Sequence, residues 1–281
     1  MKESLDHVTS TAVGEWTDIP GRLLTRIRER RPLIHHITNL VTMNDTASIT
    51  LAIGALPVMA HSRVEVEEMV ASASALVLNL GTLTPEQVES MLLAGHRASE
   101  LGIPIVLDPV GAGATRLRRD AALRLLREVT ISAIRGNASE IGALIGVTGE
   151  TRGVESISLA GDRDEVARSA ARMFGCAVAI TGIRDVVTDG ERLAYVDNGH
   201  PLLGHITGSG CMATSLVGAF LAVEGDSWLS TAAALVTMGV AGEIAGPPSY
   251  GPGTFRPHLF DAVARLDEAT VTSRQKVRTV S

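Results

Sequence analysis

The chain has 281 residues, of which 45% are hydrophobic and 20% are charged, so it is not an intrinsically disordered protein. Its net charge of −6 argues against nucleic acid or an anionic membrane as the main partner. Aromatic residues make up only 3%, and the apolar mass is mostly Ala, Val, Leu and Ile, which favours an α/β core over an all-β sandwich.

Cysteine content and the distribution of apolar residues indicate the cellular location. Two cysteines provide no disulfide framework, which favours a reducing compartment. The first ten residues are polar, unlike a signal peptide, and no stretch offers the roughly 18 uncharged apolar residues of a membrane span. We therefore expect a cytoplasmic protein.

The two ends of the chain differ from its middle. Residues 1–15 are expected to be a flexible N-terminal extension and residues 270–281 a disordered tail, which leaves 16–269 as one domain. In that domain, short β-branched runs alternate with longer amphipathic stretches. This alternation is typical of a three-layer α/β sandwich, with a mostly parallel central sheet and helices on both faces. The predicted strands are 33–38, 75–80, 104–108, 131–134 and 177–181.

Local signals mark helix ends and one hairpin. Three pairs have the spacing of a capping box that opens a helix: Ser62 with Glu65, Thr84 with Gln87, and Asn137 with Glu140. Pro85 suits the first position of the second of these helices, and Gly102 is expected to end it. The Asp-Gly pair at 189–190 predicts an antiparallel hairpin over 186–197, near one edge of the sheet.

A glycine-rich turn is the strongest local signal for a ligand site. Residues 207–210, Thr-Gly-Ser-Gly, lead directly into an apolar helix. Glycines let the backbone approach a ligand closely, so the amides at the helix start would form an anion hole. The residues of this hole are Gly208, Ser209, Gly210 and Cys211. The turn is neither a Walker loop nor a complete dinucleotide fingerprint, and an ordinary glycine-rich turn is the alternative.

Cys211 lies in the first turn of that helix, where the helix dipole should bias a thiol toward the thiolate. It could be a nucleophile, a weak base or a small packing residue. A nucleophile would need a partner, for which His205 is the nearest histidine, and the pair would suit a cysteine hydrolase. Cys176 begins a predicted strand and is expected to be a core residue.

Two other turns that follow strands carry charged residues. Asp108 ends one predicted strand and can bind Mg²⁺ through water or a phosphate oxygen. Arg135 follows the next strand and can clamp a phosphate group. Glu140 either closes the capping box with Asn137 or supports Mg²⁺. Capping alone is the alternative for Asp108, Asn137 and Glu140. The histidines lack metal-ligand spacing, so a zinc site is not expected.

Taken in order, these segments resemble the hydroxyethylthiazole kinase family, a thiamine-pathway branch of the ribokinase-like superfamily. The resemblance runs from about Pro32 to Leu266, and ITN followed by GALPVM points to the thiazole enzymes rather than to other vitamin kinases. The matching segments are HHITNLVTMNDTAS, LAIGALPVMA, LVLNLGTLT, VLDPVGAGAT, AIRGNASEI, AITG, VTDG, TGSGCMATS and GPGTFRPHLFDA.

The resemblance implies a ribokinase-like sandwich and a transferase reaction. The γ-phosphoryl group of ATP would pass, with Mg²⁺ as cofactor, to the hydroxyl of 4-methyl-5-(2-hydroxyethyl)thiazole. It also implies a homotrimer with active sites at the subunit interfaces. The alternatives are a kinase for a hydroxymethylpyrimidine, a non-catalytic nucleotide-binding regulator, and the cysteine hydrolase described above.

The resemblance also assigns roles to residues of this sequence. It implies a thiazole pocket lined by Asn39, Met59, Gly81 and Gly208. It implies ATP binding by Arg135 and Thr181, with Asn137 beside them, and an acidic pair near Mg²⁺ formed by Asp108 and Glu140. Cys211 would be the catalytic residue that faces the substrate hydroxyl.

Overall fold

The computed structural model describes residues 16–147 and 163–280. The predicted flexible extension at 1–15 lies outside the described residues. Within them, nine strands form one sheet in the order β2-β1-β3-β4-β5-β6-β7-β8-β9, in which β1 to β6 are parallel and β7 to β9 antiparallel. The strands are β1 (Leu33–Ile37), β2 (Leu56–Val58), β3 (Ala75–Asn79), β4 (Ile105–Asp108), β5 (Ala133–Gly136), β6 (Ala177–Ile180), β7 (Asp185–Thr188), β8 (Leu193–Val196) and β9 (Val277–Val280).

Helices cover both faces of this sheet, and a separate apolar core fills each side. One side holds α1 (Ile19–Arg30), α2 (Met43–Ile53), α8 (Ser209–Leu221), α9 (Ser227–Ala245), α10 (Pro252–Arg265) and α11 (Glu268–Arg274). The other side holds α3 (Val66–Ala71), α4 (Pro85–Leu101), α5 (Arg116–Glu128), α6 (Ala138–Leu144) and α7 (Arg163–Phe174). The predicted three-layer α/β sandwich is therefore confirmed.

Most of the predicted element boundaries are confirmed. Each predicted strand is present within two residues of its expected ends, and β7 and β8 form the predicted hairpin. Thr84 and Asn137 close capping boxes at the starts of α4 and α6, and Gly102 ends α4 in the left-handed region at φ +67°. The capping box at Ser62 is wrong. Its backbone carbonyl, rather than its hydroxyl, accepts the amides of Glu65 and Val66, so α3 begins three residues later than predicted.

The tail after residue 269 corrects the expectation of disorder. Asp267 caps α11 by accepting the amide of Thr270 at 2.7 Å, and β9 then pairs antiparallel with β8 at the edge of the sheet. Trp16 donates its indole N–H to the hydroxyl of Thr279 at 2.9 Å, which ties β9 to the segment before α1. A strand at the edge with one wet face is naturally polar, which is why the composition suggested disorder.

One helix, α9, is more apolar than the sequence analysis predicted. By length and composition, α9 could cross a membrane, with a mean hydropathy of 1.3 over its most apolar window. In the fold, 83% of that window is buried against the sheet and the neighbouring helices. A helix that is apolar all round is expected in the core of a large domain.

A buried histidine makes the fold sensitive to acid. His36 lies in the centre of β1, where its Nε2 contacts the Thr50 hydroxyl at 3.4 Å and its Nδ1 has no partner among the described residues. Burial, reinforced by His35 and His61, lowers the pKa of His36 to about 3. The unfolded chain binds a proton that the folded chain does not, so stability is lost as pH falls below about 6.5.

We predict that the substitution His36→Gln weakens this acid sensitivity. Between pH 7.5 and pH 5.0, one such histidine removes about 2 kcal/mol from the free energy of unfolding, and the glutamine variant lacks this contribution. Urea unfolding at the two pH values measures the difference, with His96→Gln on the exposed face of α4 as the control. An equal loss in the His36 variant and the wild type would contradict the assignment.

Candidate active site

The predicted site residues gather at the carboxyl edge of the parallel strands. Asp108, at the end of β4 in the parallel part of the sheet, is 1% exposed. Its Oδ2 atom accepts hydrogen bonds from Asn79 at 2.8 Å and Thr214 at 2.9 Å, and the Arg135 guanidinium lies 4.0 Å away. Burial raises the pKa of Asp108 to about 6; Arg135 opposes this shift and Glu140 adds to it. The carboxylate is thus held in a largely dry place by three elements.

Asn39 follows β1 and turns the chain into α2. Its Oδ1 atom accepts the backbone amides of Val41 and Thr42, at 3.0 and 2.9 Å, and its Nδ2 atom donates to Asn79 at 2.8 Å. Gly81 lies directly against this side chain, because a Cβ atom there would come within 2.7 Å of the Asn39 Cβ atom. Both residues are therefore brought to the site, with Gly81 making room for Asn39.

Cys211 lies in the first turn of α8, with its sulfur facing Asn39 and Asn79. The two amide Nδ2 atoms are 3.4 and 3.3 Å from Sγ, and the Thr42 hydroxyl also hydrogen-bonds it. Burial raises the pKa of the Cys211 thiol, and the Asp108 carboxylate raises it further. The expectation of a thiolate is therefore wrong: burial and the nearby carboxylate outweigh the donors around the sulfur.

The glycine-rich turn has the shape that an anion hole requires. Gly208 precedes α8 at φ +86°, and a Cβ atom there would lie 2.6 Å from the Thr42 methyl group. No side chain caps the helix, so the amides of its first turn, which begins at Ser209, keep their capacity to bind an anion. At Gly210, a Cβ atom would overlap the Arg135 guanidinium, so this cation lies directly on the helix start.

Arg135 links the helix start to the next strand. It lies near the end of β5, its side chain is 14% exposed, and its Nη2 atom donates to the Thr181 hydroxyl just after β6. The Nε atom of Arg135 is buried without a hydrogen-bond partner among the described residues. Of the three residues that the resemblance assigned to ATP, Arg135 and Thr181 therefore contact each other, and Arg135 keeps a free donor beside the first turn of α8.

Glu140 and Asn137 join two of the turns. They form the capping box of α6, in which Glu140 Oε2 accepts the Asn137 amide at 2.8 Å, and Glu140 Oε1 accepts the Gly111 amide at 2.8 Å. Capping thus accounts for the Asn137 side-chain oxygen, which accepts the amide of Glu140 at 2.9 Å. Glu140 also holds the turn after β4 in place.

The donor set suits Mg²⁺ better than a metal held by protein alone. Asp108 Oδ1 is buried without a hydrogen-bond partner among the described residues, and each Glu140 oxygen accepts a single amide. Within residues 16–147 and 163–280, no cluster of three or more His, Cys, Asp or Glu could hold a metal. Magnesium typically takes one or two carboxylates and fills its other positions with water and phosphate oxygens, so the residues fit this ion.

Met59 lies one strand further along the same edge. It follows β2 directly, and its side chain is partly exposed. The register of β1 and β2 pairs His35 with Val58, which places Met59 level with His36, near the end of β1, and leaves β1 and β3 between β2 and the strand that ends at Asp108. This position suits the wall of a pocket and lies apart from the hydrogen-bonded group around Asp108.

The cysteine hydrolase has no catalytic pair in this arrangement. His205 hydrogen-bonds the carbonyl of Pro201, four residues earlier in its own turn, at 3.0 Å. Among the described residues, the donors to the Cys211 sulfur are instead the side-chain amides of Asn39 and Asn79, which cannot serve as a general base. The Thr42 hydroxyl gives its own proton to Asn39 Oδ1 at 3.1 Å. Cys176 is 7% exposed, as expected of a core residue.

Sequence inspection missed three polar residues that complete the site: Thr42, Asn79 and Thr214. All three are at most 3% exposed. A signal did exist for Asn79, since an asparagine inside the apolar run ALVLNL must find partners when buried.

This chain is similar to known proteins in both sequence and fold. The model of the hydroxyethylthiazole kinase family matches residues 24–269. A hydroxyethylthiazole kinase of Methanocella arvoryzae is 56% identical over 256 residues, which is 91% of this chain and 96% of that relative. The solved structure of a hydroxyethylthiazole kinase protein from Pyrococcus horikoshii is 45% identical, with a TM-score of 0.86 over 93% of this chain and 99% of that one.

A more distant structure supports the fold alone. A ribokinase-like superfamily protein from Enterococcus faecalis is 11% identical and has a TM-score of 0.61, with 93% of each chain covered. The family match spans most of this chain, and the Methanocella relative shares more than half of its residues. On a ribokinase-like fold, with its polar groups gathered at one edge of the sheet, this chain belongs to the hydroxyethylthiazole kinase family.

Proposed function

We propose that this protein transfers the γ-phosphoryl group of ATP to the primary hydroxyl of 4-methyl-5-(2-hydroxyethyl)thiazole, giving the thiazole phosphate and ADP. The observation that carries this proposal is the convergence of Arg135 and the uncapped start of α8 beside Cys211. A cation and free amides meet there at a polar side chain. Phosphoryl transfer needs this arrangement, because its catalysis consists mostly of positioning and charge stabilisation.

Each group in the site has a proposed task. The amides from Gly208 to Cys211 receive the charge that develops on the transferred phosphoryl group, and Arg135 and Thr181 bind the phosphates of ATP with Asn137 beside them. Asn39, Met59, Gly81 and Gly208 form the thiazole pocket. These are the predicted site residues, and their placement at one edge of the sheet supports their assignment to the active site.

Cys211 orients the substrate hydroxyl. Because burial raises its thiol pKa, the sulfur is protonated at neutral pH and acts through hydrogen bonding rather than as a strong base. A loose transition state asks little of a base, so the proton of the alcohol can leave late, for an oxygen of the transferred phosphate. Asp108 and Glu140 would hold Mg²⁺, which supplies charge neutralisation on the phosphates when bound.

The decisive experiment is ADP release by the purified protein with ATP, Mg²⁺ and the thiazole alcohol. A hydroxymethylpyrimidine in competition with the thiazole tests the nearest alternative. Faster turnover of the pyrimidine would reassign the substrate. A protein that binds ATP yet releases no ADP with either alcohol would be a non-catalytic nucleotide-binding regulator.

We also propose that the enzyme acts in the cytoplasm.

We further propose a homotrimer with active sites at the subunit interfaces. Leu40 and Val41 follow Asn39 directly and are 72% and 64% exposed, so apolar surface lies beside the pocket. Light scattering should give the mass of a trimer for the wild type and a smaller mass for Leu40→Asp. Met173→Asp, at an exposed position of α7, is the matched control and should remain trimeric. A monomeric wild type would contradict the proposal.

Arg135→Ala should raise the KM for ATP and lower kcat. A phosphate clamp acts in both the ground and the transition state, and the loss of a charge-assisted bond typically costs about tenfold or more. Arg135→Lys keeps the charge without the planar fork and should fall between the wild type and the alanine variant. Steady-state kinetics with varied ATP measure both constants. Unchanged ATP kinetics would show that Arg135 is not a phosphate ligand.

Cys211→Ala should reduce kcat without abolishing it, whereas Cys211→Asp should retain or increase activity. A carboxylate at this position can orient the alcohol, take its proton and benefit from the helix start. Its repulsion from the phosphates is the opposing effect. Rates at saturating ATP and thiazole decide the matter. A well-folded but inactive Cys211→Asp variant would exclude the orienting role. Complete loss of activity in both the alanine and the aspartate variant would indicate covalent chemistry at the thiol.

Met59→Ala should weaken thiazole binding and leave ATP binding nearly intact. The thioether suits packing on an aromatic heterocycle, and Met59 lies at the edge of the site. If Met59 instead belongs to the core, its loss should lower stability by about 2–5 kcal/mol. Thermal melts beside thiazole titrations separate the two cases, and a lower melting temperature with normal thiazole affinity would rule out the pocket role.

A further inference from the structure

The side chain of Asn79 uses its whole hydrogen-bonding capacity inside the site. Its Oδ1 atom accepts from Asn39 Nδ2 at 2.8 Å and from the Gly81 amide at 3.0 Å. Its Nδ2 atom donates to Asp108 Oδ2 at 2.8 Å and to Cys211 Sγ at 3.3 Å. The residue is 2% exposed and ends β3, which lies between β1 and β4 in the sheet. One amide therefore connects four groups of the site.

These bonds fix the orientation of the amide. If the Asn79 amide were reversed, its oxygen would face the Asp108 carboxylate and its NH₂ group would face the amide of Gly81, so acceptor would meet acceptor and donor would meet donor. Asn39 is held in the same way, because its oxygen accepts the backbone amides of Val41 and Thr42. Both NH₂ groups must therefore point at the Cys211 sulfur.

This orientation determines what the sulfur can do. Two N–H groups approach Cys211 Sγ from the side of the sheet, so the thiol proton cannot point in that direction. The proton is left with the Thr42 hydroxyl or with the open side of the pocket, because Cys211 is only partly buried. With both lone pairs of the sulfur accepting N–H groups, the thiol can offer a bound alcohol only its proton.

We propose that Asn79 is a positioning residue for phosphoryl transfer, which holds the Cys211 sulfur at a fixed place beside Asp108 and turns it toward the substrate hydroxyl. Its role in catalysis rests on the proposed function, whereas the orientation of the sulfur does not. Asn79 contacts four groups of the site and acts on the substrate through Cys211.

The orientation can be tested without substrates. Iodoacetamide reacts with thiolate, and N–H donors at the sulfur favour that form. Asn79→Asp keeps the size of the side chain but removes the N–H group from the sulfur, whether the new carboxyl is charged or protonated. We expect alkylation of Cys211 at pH 8, followed by mass spectrometry of its peptide, to slow by about tenfold. Should this variant not fold, Asn79→Ser, which is too short to reach the sulfur, should show the same slowing.

Thr214→Val is the matched control for this measurement. Thr214 is the other donor to the same Asp108 oxygen, and valine has nearly its shape, so the change disturbs the carboxylate without removing a donor from the sulfur. Alkylation of Cys211 should stay within about twofold of the wild type or become faster. Equal slowing in both variants, or no slowing in the folded Asn79 variant, would overturn the proposal.

The catalytic role is tested by a double-mutant cycle with Cys211→Ala. If Asn79 acts through the sulfur, Asn79→Asp should lower kcat about tenfold in the wild type, leave the KM for ATP within about twofold, and cost little in the Cys211→Ala background. The same loss in both backgrounds would mean a merely structural role and would refute the proposal. Should the wild type release no ADP with the thiazole, the proposed function fails, while the alkylation rates still decide the orientation of the sulfur.

Discussion

The buried carboxylate at the end of β4, between the parallel neighbours β3 and β5, sets the arrangement of the groups around it. An unpartnered charge in the interior costs several kcal/mol, so Asp108 needs polar and charged partners. Asn79 of β3 and Thr214 of α8 donate hydrogen bonds to its Oδ2 atom, and the Arg135 guanidinium of β5 lies 4.0 Å away as a countercharge. The requirement therefore draws three elements together at one edge of the sheet. The first turn of α8 and the sulfur of Cys211 are placed there as a result.

Close packing between α8 and the sheet supports this arrangement. At Gly218, a Cβ atom would lie 2.7 Å from the Val77 Cγ2 atom, so the helix approaches β3 as closely as a backbone can. At the start of the same helix, Gly208 and Gly210 leave room for Thr42 and Arg135. Three glycines, two within α8 and one directly before it, thus control how near the amides of the first turn come to their neighbours.

The sequence predicted best what is encoded locally. Turn and cap signals act over three or four residues, so α4, α6 and the hairpin of β7 and β8 could be placed, and the polar turns after the strands pointed to Asp108, Arg135 and the start of α8. What depends on tertiary contact could not be predicted. The helix dipole at Cys211 is visible in the sequence, whereas its burial beside Asp108 is not. The contacts of Thr42 and Asn79 with the site form only when β1, β3 and α8 pack together, so their roles could not be predicted from the sequence.

The contact between Trp16 and β9, which joins the two ends of the described chain, has a consequence for folding during translation. Among the described strands β9 is the last in the chain, and it pairs with β8 at the edge of the sheet. Trp16 joins it from the segment before α1. While the chain leaves the ribosome, β8 is an open edge whose unpaired amides and carbonyls can recruit strands from other molecules. Until β9 emerges, the nascent chain therefore carries an exposed sheet edge at which it is most prone to pair with other chains.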